Sequence, residues 1–149
     1  MNKKPKDIAR NDLYPFLQKV DRLFPVPLSD KEPLEVLASK LEKYGTLSLI
    51  QKDGQIVAMC AGYINDLERR LGYISVVAVL PECSGRGYGW SVVYDFVRKA
   101  ADAGMTAVHL YASPGNAAAL KMYQKLGFVR WQIAGEPRPD DMHLIKRLS

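Results

Sequence analysis

The sequence predicts one α/β (α+β) domain in which a mixed central β-sheet carries helices on both faces. Two observations lead to this fold class. Residues 46–80 contain three strand-like segments, and the chain after them alternates helical and strand patterns. A meander that feeds two strand–helix units requires a sheet with both parallel and antiparallel pairs. Residues 1–149, of which 48% are hydrophobic, are enough for a single core.

The N-terminal third contains two predicted helices. Apolar residues spaced at i, i+3, i+4 and i+7 predict the first helix over residues 10–22. A proline-containing loop follows, in which Ser29 or Asp30 could cap the second helix over residues 32–43. The first seven residues show no strand pattern.

The middle of the chain is predicted to form three consecutive strands. Residues 46–51 and 55–64 flank Asp53–Gly54, which is a strong signal for a hairpin turn. A polar loop over residues 65–70 then leads into a long strand at 72–80. These segments form the antiparallel part of the predicted sheet.

A glycine-rich loop separates the third strand from a predicted helix at residues 88–103. The stretch reads VAVLPECSGRGYGW and contains Gly85, Gly87 and Gly89. Successive glycines before a helix leave backbone N–H groups pointing the same way, at a helix end that favours anions. A Cβ would block close approach or forbid the required φ. The loop therefore predicts a ligand that carries a diphosphate.

The C-terminal third is predicted to contain a strand, a helix and two final strands. Residues 106–112 form the strand, and Asn116 is the expected N-cap of a helix at 117–126. Residues 128–134 and 142–148 read as two strands around a turn.

Composition argues against several classes of protein. The net charge is +5, but the basic residues are scattered, so no nucleic-acid interface is expected. No apolar run approaches the roughly 18 residues of a membrane span, and no signal-peptide pattern is found. Cys60 and Cys83 lack metal-ligand spacing, so neither a metal nor a disulfide is expected. These features favour a cytoplasmic protein.

Two motifs, in the expected order, resemble the GCN5-related N-acetyltransferases. The first is V-x-P-E followed by the glycine loop. The second is N-x-x-A-x-x-x-Y-x-x-x-G-F, whose fixed positions are Asn116, Ala119, Tyr123, Gly127 and Phe128. The resemblance covers residues 46 to the C-terminus. It implies an acyl-CoA N-acyltransferase fold that moves an acetyl group from acetyl-CoA to a primary amine.

The resemblance also implies where acetyl-CoA binds. The cosubstrate would lie between two parallel strands that diverge, here 72–80 and 106–112. The backbone of Val77 and Val79 would pair with the pantetheine, and the Val77 N–H would stabilise the thioester oxygen. Asn116 would bond the pantetheine arm. The pyrophosphate would rest on the backbone of Gly85, Arg86, Gly87, Tyr88, Gly89 and Trp90.

The glycine loop departs from the family pattern at one position. Ser84 stands where the family usually has Gln or Arg, and Arg86 could compensate for the lost charge. The side chains of Tyr88 and Trp90 are expected to pack in the core and against the loop, while their N–H groups serve the ligand.

The family resemblance implies that Tyr123 is the general acid that protonates the departing thiolate, since a phenol is protonated at neutral pH. Packing within its helix is the alternative interpretation of this residue. The general base stays open, because Tyr73 stands where many family members have a glutamate. Asp66, Glu68 and His109 are candidates, each with a structural role as the alternative. Deprotonation through water, with backbone carbonyls and Tyr73 or Tyr111 nearby, is also open.

The acceptor site is expected to be lined by residues 24–31, 65–70 and 135–141. The segments FPVPLSDK and GYINDLERRLGYIS resemble acyltransferases found among bacterial surface-polysaccharide genes, which raises amino sugars as acceptors. A small-molecule amine is therefore the expected partner. A protein lysine or N-terminal acetyltransferase and a non-catalytic acyl-CoA-binding module are the alternatives. The family resemblance also suggests a homodimer.

Overall fold

The computed structural model describes residues 10–133, 135, 138 and 140–148. The first seven residues, the last residue of the strand predicted at 128–134, and residues 136, 137 and 139 of the predicted final turn lie outside the described residues. The described residues form four α-helices and six strands: α1 Arg10–Val20, α2 Leu34–Tyr44, β1 Thr46–Lys52, β2 Gln55–Tyr63, β3 Leu71–Val79, α3 Tyr88–Asp102, β4 Ala107–Ala112, α4 Ala117–Lys125, β5 Val129–Arg130 and β6 Met142–Arg147.

The six strands form one mixed sheet in the order β1-β2-β3-β4-β6-β5. Only β3 and β4 are parallel, and the other neighbouring pairs are antiparallel. Asp53 and Gly54 both have positive φ and turn the β1–β2 hairpin, as the dipeptide predicts. The predicted mixed α/β architecture is confirmed.

Helices cover both faces of the sheet, and each face has its own apolar cluster. On one face, α1 and α2 pack against side chains of the first three strands, including Leu47, Met59, Ala61, Val76 and Ala78. On the other face, α3 and α4 pack against Ala58, Cys60, Ile74, Val108 and Leu110. None of the helices in the described part of the chain has an apolar stretch of the length that a bilayer span requires.

A β-bulge interrupts the pairing of β2 with β3. Ala61 pairs with Val76, but the next residue, Gly62, pairs with Ile74, so Ser75 is an extra residue on β3. A bulge reverses which side chains face each side of the sheet. Ile74 accordingly belongs to the cluster under α3, whereas Val76 belongs to the cluster under α1 and α2.

The segment between α1 and α2 differs from its prediction. A 3-10 turn at Asp21–Leu23 follows α1, and the backbone N–H and hydroxyl of Ser29 donate to Asp21 at 2.9 and 2.6 Å. Neither Ser29 nor Asp30 caps α2, which follows Pro33 without a side-chain cap. Ser29 instead joins the loop to Asp21 of the preceding turn, so the predicted cap is wrong.

The fifth strand is much shorter than predicted. Residues 128–134 were expected to be extended, but among the described residues 128–133 only Val129 and Arg130 pair with β6, and both are exposed. Trp131 adds one bond from its N–H to the His143 carbonyl at 2.8 Å.

Gly62→Ala is expected to lower the free energy of unfolding by about 3 kcal/mol, because the bulge has no room for a methyl group. A Cβ there would overlap the carbonyl oxygen of Tyr73 and lie 2.9 Å from Phe96 Cζ. Urea unfolding measures the change. Gly115→Ala is the control, since its Cβ would meet nothing closer than Ser113 Oγ at 3.9 Å. Equal unfolding midpoints for the two variants would contradict the tight packing at Gly62.

Candidate active site

The parallel strands β3 and β4 stay together over only three residue pairs. Pairing begins at Leu71 with Ala107 and ends at Tyr73 with His109. Beyond that point β3 continues to Val79 and β4 to Ala112 with no further pairs between them. The two strands therefore diverge and leave a gap in the sheet.

The edge of β3 that borders the gap carries backbone hydrogen-bonding groups. Leu80 donates its N–H to the Val57 carbonyl of β2 at 2.9 Å. Because successive residues of a strand point their backbone groups in opposite directions, Val79 and Val77 direct theirs away from β2. These two residues, which sequence analysis selected, thus offer N–H and C=O groups to the gap.

A cleft of about 440 Å³ occupies the gap. Val77 lines it from β3, and Asn116 and Tyr123 line it from α4 and its N-cap. Val79 is not among its lining residues; it packs, partly buried, against both apolar clusters. The structure therefore brings three of the predicted site residues to one cavity.

The glycine loop lies at the N-terminus of α3, as predicted. Gly85 and Gly87 both have φ of +78°, a conformation that glycine adopts without strain. Gly87 is the N-cap, and Ser91 N–H donates to its carbonyl at 3.1 Å as the first helical bond. The amides of the first turn before Ser91 have no acceptor within the helix.

Gly89 brings the loop into contact with the rest of the site. A Cβ at this position would lie 3.4 Å from Met122 Sδ and 3.7 Å from Val79 Cγ2. Gly89 lies inside the first turn of α3, and its φ is not in the left-handed region. These are ordinary van der Waals distances, so the first turn of α3 lies against both β3 and α4 at this residue.

Two cations lie beside the first residue of α3. The Lys52 ammonium is 5.6 Å from the centre of the Tyr88 ring, and hydrogen bonds from Lys52 and Arg86 lower the pKa of the Tyr88 hydroxyl. The sequence pattern indicates Arg86 but gives no sign of Lys52, which belongs to β1 and reaches the loop only through the fold.

Trp90 is the one loop residue whose predicted packing is wrong. Its side chain is 40% exposed, whereas the buried stripe of α3 consists of Val92, Val93, Phe96 and Ala100. Tyr88 is half-buried and contacts both apolar clusters, as expected.

Tyr123 combines burial with access to the cleft. Its side chain is only 6% exposed, and its ring meets that of Phe128 edge-on at 5.7 Å. Burial raises the pKa of the Tyr123 hydroxyl well above its usual range, so the phenol stays protonated at neutral pH. It can donate a proton but is a poor base.

Asn116 caps α4, which confirms one of its two predicted roles. Its Oδ1 accepts the Ala119 N–H at 3.2 Å. The residue is exposed and lines the cleft, so one residue caps the N-terminus of α4 and borders the cavity.

All three segments that were expected to hold the acceptor border this region. Phe24 and Lys31 line the cleft from the loop after α1, and Arg138 and Asp141 line it from the last turn. The loop at 65–70 lines an adjoining cavity of about 350 Å³.

The acidic candidates for a base are occupied or lie outside the cleft. Asp66 accepts from Arg69 through the backbone N–H at 3.0 Å and through Nε at 2.7 Å, and these bonds lower the pKa of its carboxyl. Arg70 has positive φ, and its Nη1 donates to the Gly104 carbonyl at 3.3 Å. Glu68 is exposed and lines neither the cleft nor the adjoining cavity. These charges mainly order the loop before β3.

The chain's two histidines meet next to the cleft, which sequence analysis missed. His109 Nδ1 and His143 Nε2 are 2.8 Å apart. They come from neighbouring strands, β4 and β6, and are 34 residues apart, so local pattern gives no sign of the contact.

Both cysteines of the chain lie in the core. Cys60 and Cys83 are free and buried, and burial raises the pKa of the Cys60 thiol. Within the described ranges no three His, Cys, Asp or Glu side chains converge as metal ligands.

Comparison with known proteins supports the geometric picture. The model of the acetyltransferase (GNAT) family matches residues 13–128. A mycothiol acetyltransferase of Paenarthrobacter aurescens is 44% identical over 61 residues, which is 41% of this chain and 19% of that protein. A mycothiol acetyltransferase of Nocardiopsis dassonvillei is 38% identical over 73 residues, which is 47% of this chain and 22% of that protein. This chain thus spans about a fifth of the length of these curated relatives.

Solved structures share the fold. The PaiA N-acetyltransferase of Thermoplasma acidophilum, in complex with coenzyme A, superposes with a TM-score of 0.73 at 13% identity. The match covers 95% of this chain and 96% of that one. At this identity the likeness concerns the fold alone. Because the family match spans most of the sequence and includes the glycine loop, the diverging strands and Tyr123, the chain belongs to the acetyltransferase (GNAT) family.

Proposed function

We propose that this protein transfers an acetyl group from acetyl-CoA directly to a primary amine of a small molecule. One observation carries the proposal. A buried, protonated phenol, Tyr123, and the unpaired backbone edge at Val77 line the same cleft, where β3 and β4 diverge. Such a site has a proton donor for a leaving group and a backbone donor for a carbonyl oxygen.

The residues present fit acetyl-CoA, which supplies the acetyl group as a thioester. In the proposal, the amides of the glycine loop bind the diphosphate, with Arg86 and Lys52 adding positive charge. The edge of β3 at Val77 and Val79 pairs with the pantetheine as an added strand would. Asn116 bonds the same arm from the opposite wall of the cleft.

Val77 and Tyr123 divide the chemistry between them. The Val77 N–H stabilises negative charge on the carbonyl oxygen while the amine attacks. Tyr123 donates its proton to the departing sulfur, and its burial keeps that proton in place until it is needed. Preorganisation is the main effect, since both groups are held by elements with buried cores.

The acceptor end of the cleft supports a small polar amine. Tyr73 and Tyr111 form aromatic walls, and charged groups of both signs, among them Lys31 and Asp141, line the cavity. Relatives named mycothiol acetyltransferase also support a small-molecule acceptor. Amino sugars are the first class to test. A homodimer and a cytoplasmic site of action stay predictions.

Acetyl-CoA-dependent thiol release should appear with at least one amine in a panel of amino sugars, nucleotide-linked amino sugars, polyamines, amino acids and lysine peptides. The reason is that the proposed machinery acts on the thioester and leaves the choice of amine to the acceptor end. A thiol-reactive dye follows the release. Activity confined to peptides would favour a protein acetyltransferase. Tight acetyl-CoA binding by calorimetry, without release from any amine, would favour the non-catalytic acyl-CoA-binding module.

Tyr123→Phe is expected to lower kcat about 100-fold and to leave the dissociation constant of acetyl-CoA nearly unchanged, since it removes a proton donor and keeps the ring. Steady-state kinetics and calorimetry measure the two quantities. Tyr94→Phe is the matched control, because Tyr94 is 59% exposed on α3. An unchanged kcat, with chemistry shown to limit the rate, would remove Tyr123 from the mechanism.

A further inference from the structure

The two histidines of this sequence are bonded to each other. His109 Nδ1 lies 2.8 Å from His143 Nε2, and the chain has no other histidine. His143 is 4% exposed, whereas His109 is half-buried. This histidine pair therefore has one member inside the protein and one that reaches its surface.

Aromatic rings hold the histidine pair in place. Tyr111 stacks on His143 with ring centres 4.2 Å apart, and the Tyr73 ring lies 5.0 Å from that of His109. Trp131 contacts His143 at 4.8 Å. Rings packed on several sides restrict rotation of the imidazoles, which keeps the nitrogen-to-nitrogen contact aligned.

The histidine pair lies beside the end of the cleft to which the proposed function assigns the acceptor. His109 is paired with Tyr73 at the last position before β3 and β4 diverge. It lines the cavity of about 350 Å³ next to the cleft, and Tyr73 and Tyr111 line both cavities. An amine that reaches the cleft from this side passes the His109 imidazole.

Two ion pairs lie near the histidine pair. Asp66 Oδ2 lies 2.7 Å from Arg69 Nε. Arg138, which stacks over the Tyr111 ring, has Nη1 at 3.9 Å from Asp141 Oδ2. Other titratable groups that line the two cavities are Tyr63, Tyr73, Tyr123, Lys31 and Asp140. Among the described residues, both positive and negative groups therefore lie around the histidine pair.

The contact itself limits how many protons the histidine pair can hold. A hydrogen bond between two imidazoles needs an N–H on one ring and a lone pair on the other. The bond survives in the neutral pair and in the pair with one added proton. Two added protons would leave only N–H groups facing each other, with like charges. The hydrogen bond between the two rings is therefore compatible with one added proton and not with two.

Resting on the proposed function, we propose that the histidine pair removes the proton from the acceptor's ammonium group before acetyl transfer. His109 accepts this proton and is a catalytic residue. His143 is a positioning residue, which holds the His109 ring through the hydrogen bond and shares the added charge.

The proton balance of this step is complete. The N–H bond of the ammonium breaks, and a new N–H bond forms on the imidazole of His109. The neutral amine then forms the C–N bond as the C–S bond breaks, and Tyr123 gives its proton to the sulfur. Tyr123 regains a proton from the acetylated nitrogen. The histidine pair releases its proton to solvent, so the net products are the amide, the free thiol and one proton.

The first experiment follows the two imidazoles by nitrogen-15 NMR as the pH is changed. Since the chain has only two histidines, the signals are unambiguous. Because the two rings are hydrogen-bonded, a change in the protonation of one should alter the signals of both. Two independent titrations would overturn the proposal, whether or not any acceptor has been found.

The second experiment uses substitutions that keep the hydrogen bond but not the proton. His109→Asn places an amide near the position of Nδ1, and His143→Gln does the same for Nε2. With an alkylamine acceptor, His109→Asn should lower kcat/KM at pH 7 about 100-fold. Activity should recover as the pH is raised, because the amine then deprotonates in solution. His143→Gln should shift the pH profile in the same direction by a smaller amount.

An acceptor of low basicity separates catalysis from structure. An arylamine is already neutral at pH 7, so both variants should acetylate it nearly as well as the native protein. Equal losses with the alkylamine and the arylamine, or no loss with either, would overturn the proposal. A native protein that acetylates no amine at all would instead contradict the proposed function, and the NMR titration would then decide the role of the histidine pair. Thermal unfolding checks that each variant is folded.

Discussion

Three residue pairs hold β3 and β4 together, and the site depends on the pairing ending where it does. Longer pairing would place β4 against the backbone groups of Val77 and Val79 and fill the gap that becomes the cleft. Those groups would then be satisfied within the sheet and would have nothing to offer a ligand. The cleft is therefore an interruption of the hydrogen bonding between β3 and β4. The two apolar clusters on the faces of the sheet offset the stability that is lost with those hydrogen bonds.

The bulge at Ser75 places side chains of β3 on different faces of the sheet before and after it. Before the bulge, Tyr73 pairs with Tyr63, which packs against the cluster under α1 and α2, so Tyr73 lies on that face. After it, Val77 packs on the face of α3 and α4, where Tyr123 is buried. A single extra residue thus separates an aromatic acceptor side from an apolar side that holds the proton donor. Gly62 permits this exchange, because its missing side chain leaves room for the bulged strand.

Much of the fold follows from local pattern, and much of the site does not. The Asp53–Gly54 hairpin, the glycine loop before α3 and the Asn116 cap depend on backbone conformations that few residues adopt, so their residue types predict them. Trp90 resembled a core residue because its spacing in the helix is apolar, yet the buried stripe is displaced around α3.

The histidine pair and Lys52 could not be predicted, for a different reason. Each acts through a neighbour that is distant in sequence, and only strand order and register bring the partners together. Alternation in β4 does indicate that His109 faces away from Val108 and Leu110, but it says nothing about what lies opposite. The predicted cap of α2 failed because Asp21, in the preceding turn, competes for Ser29.

Val79 and Tyr88 stand at the two ends of the glycine loop, and both contact the apolar clusters on both faces of the sheet. The loop is therefore anchored where the two halves of the core share side chains. Local opening of such anchors requires the loss of packing on both faces, whereas the amides of the exposed residues 85–87 can exchange with solvent without it. Hydrogen exchange should therefore differ sharply between the anchors and residues 85–87. A ligand at the loop would contact amides that exchange readily with solvent, although the two ends of the loop are held in place by the core.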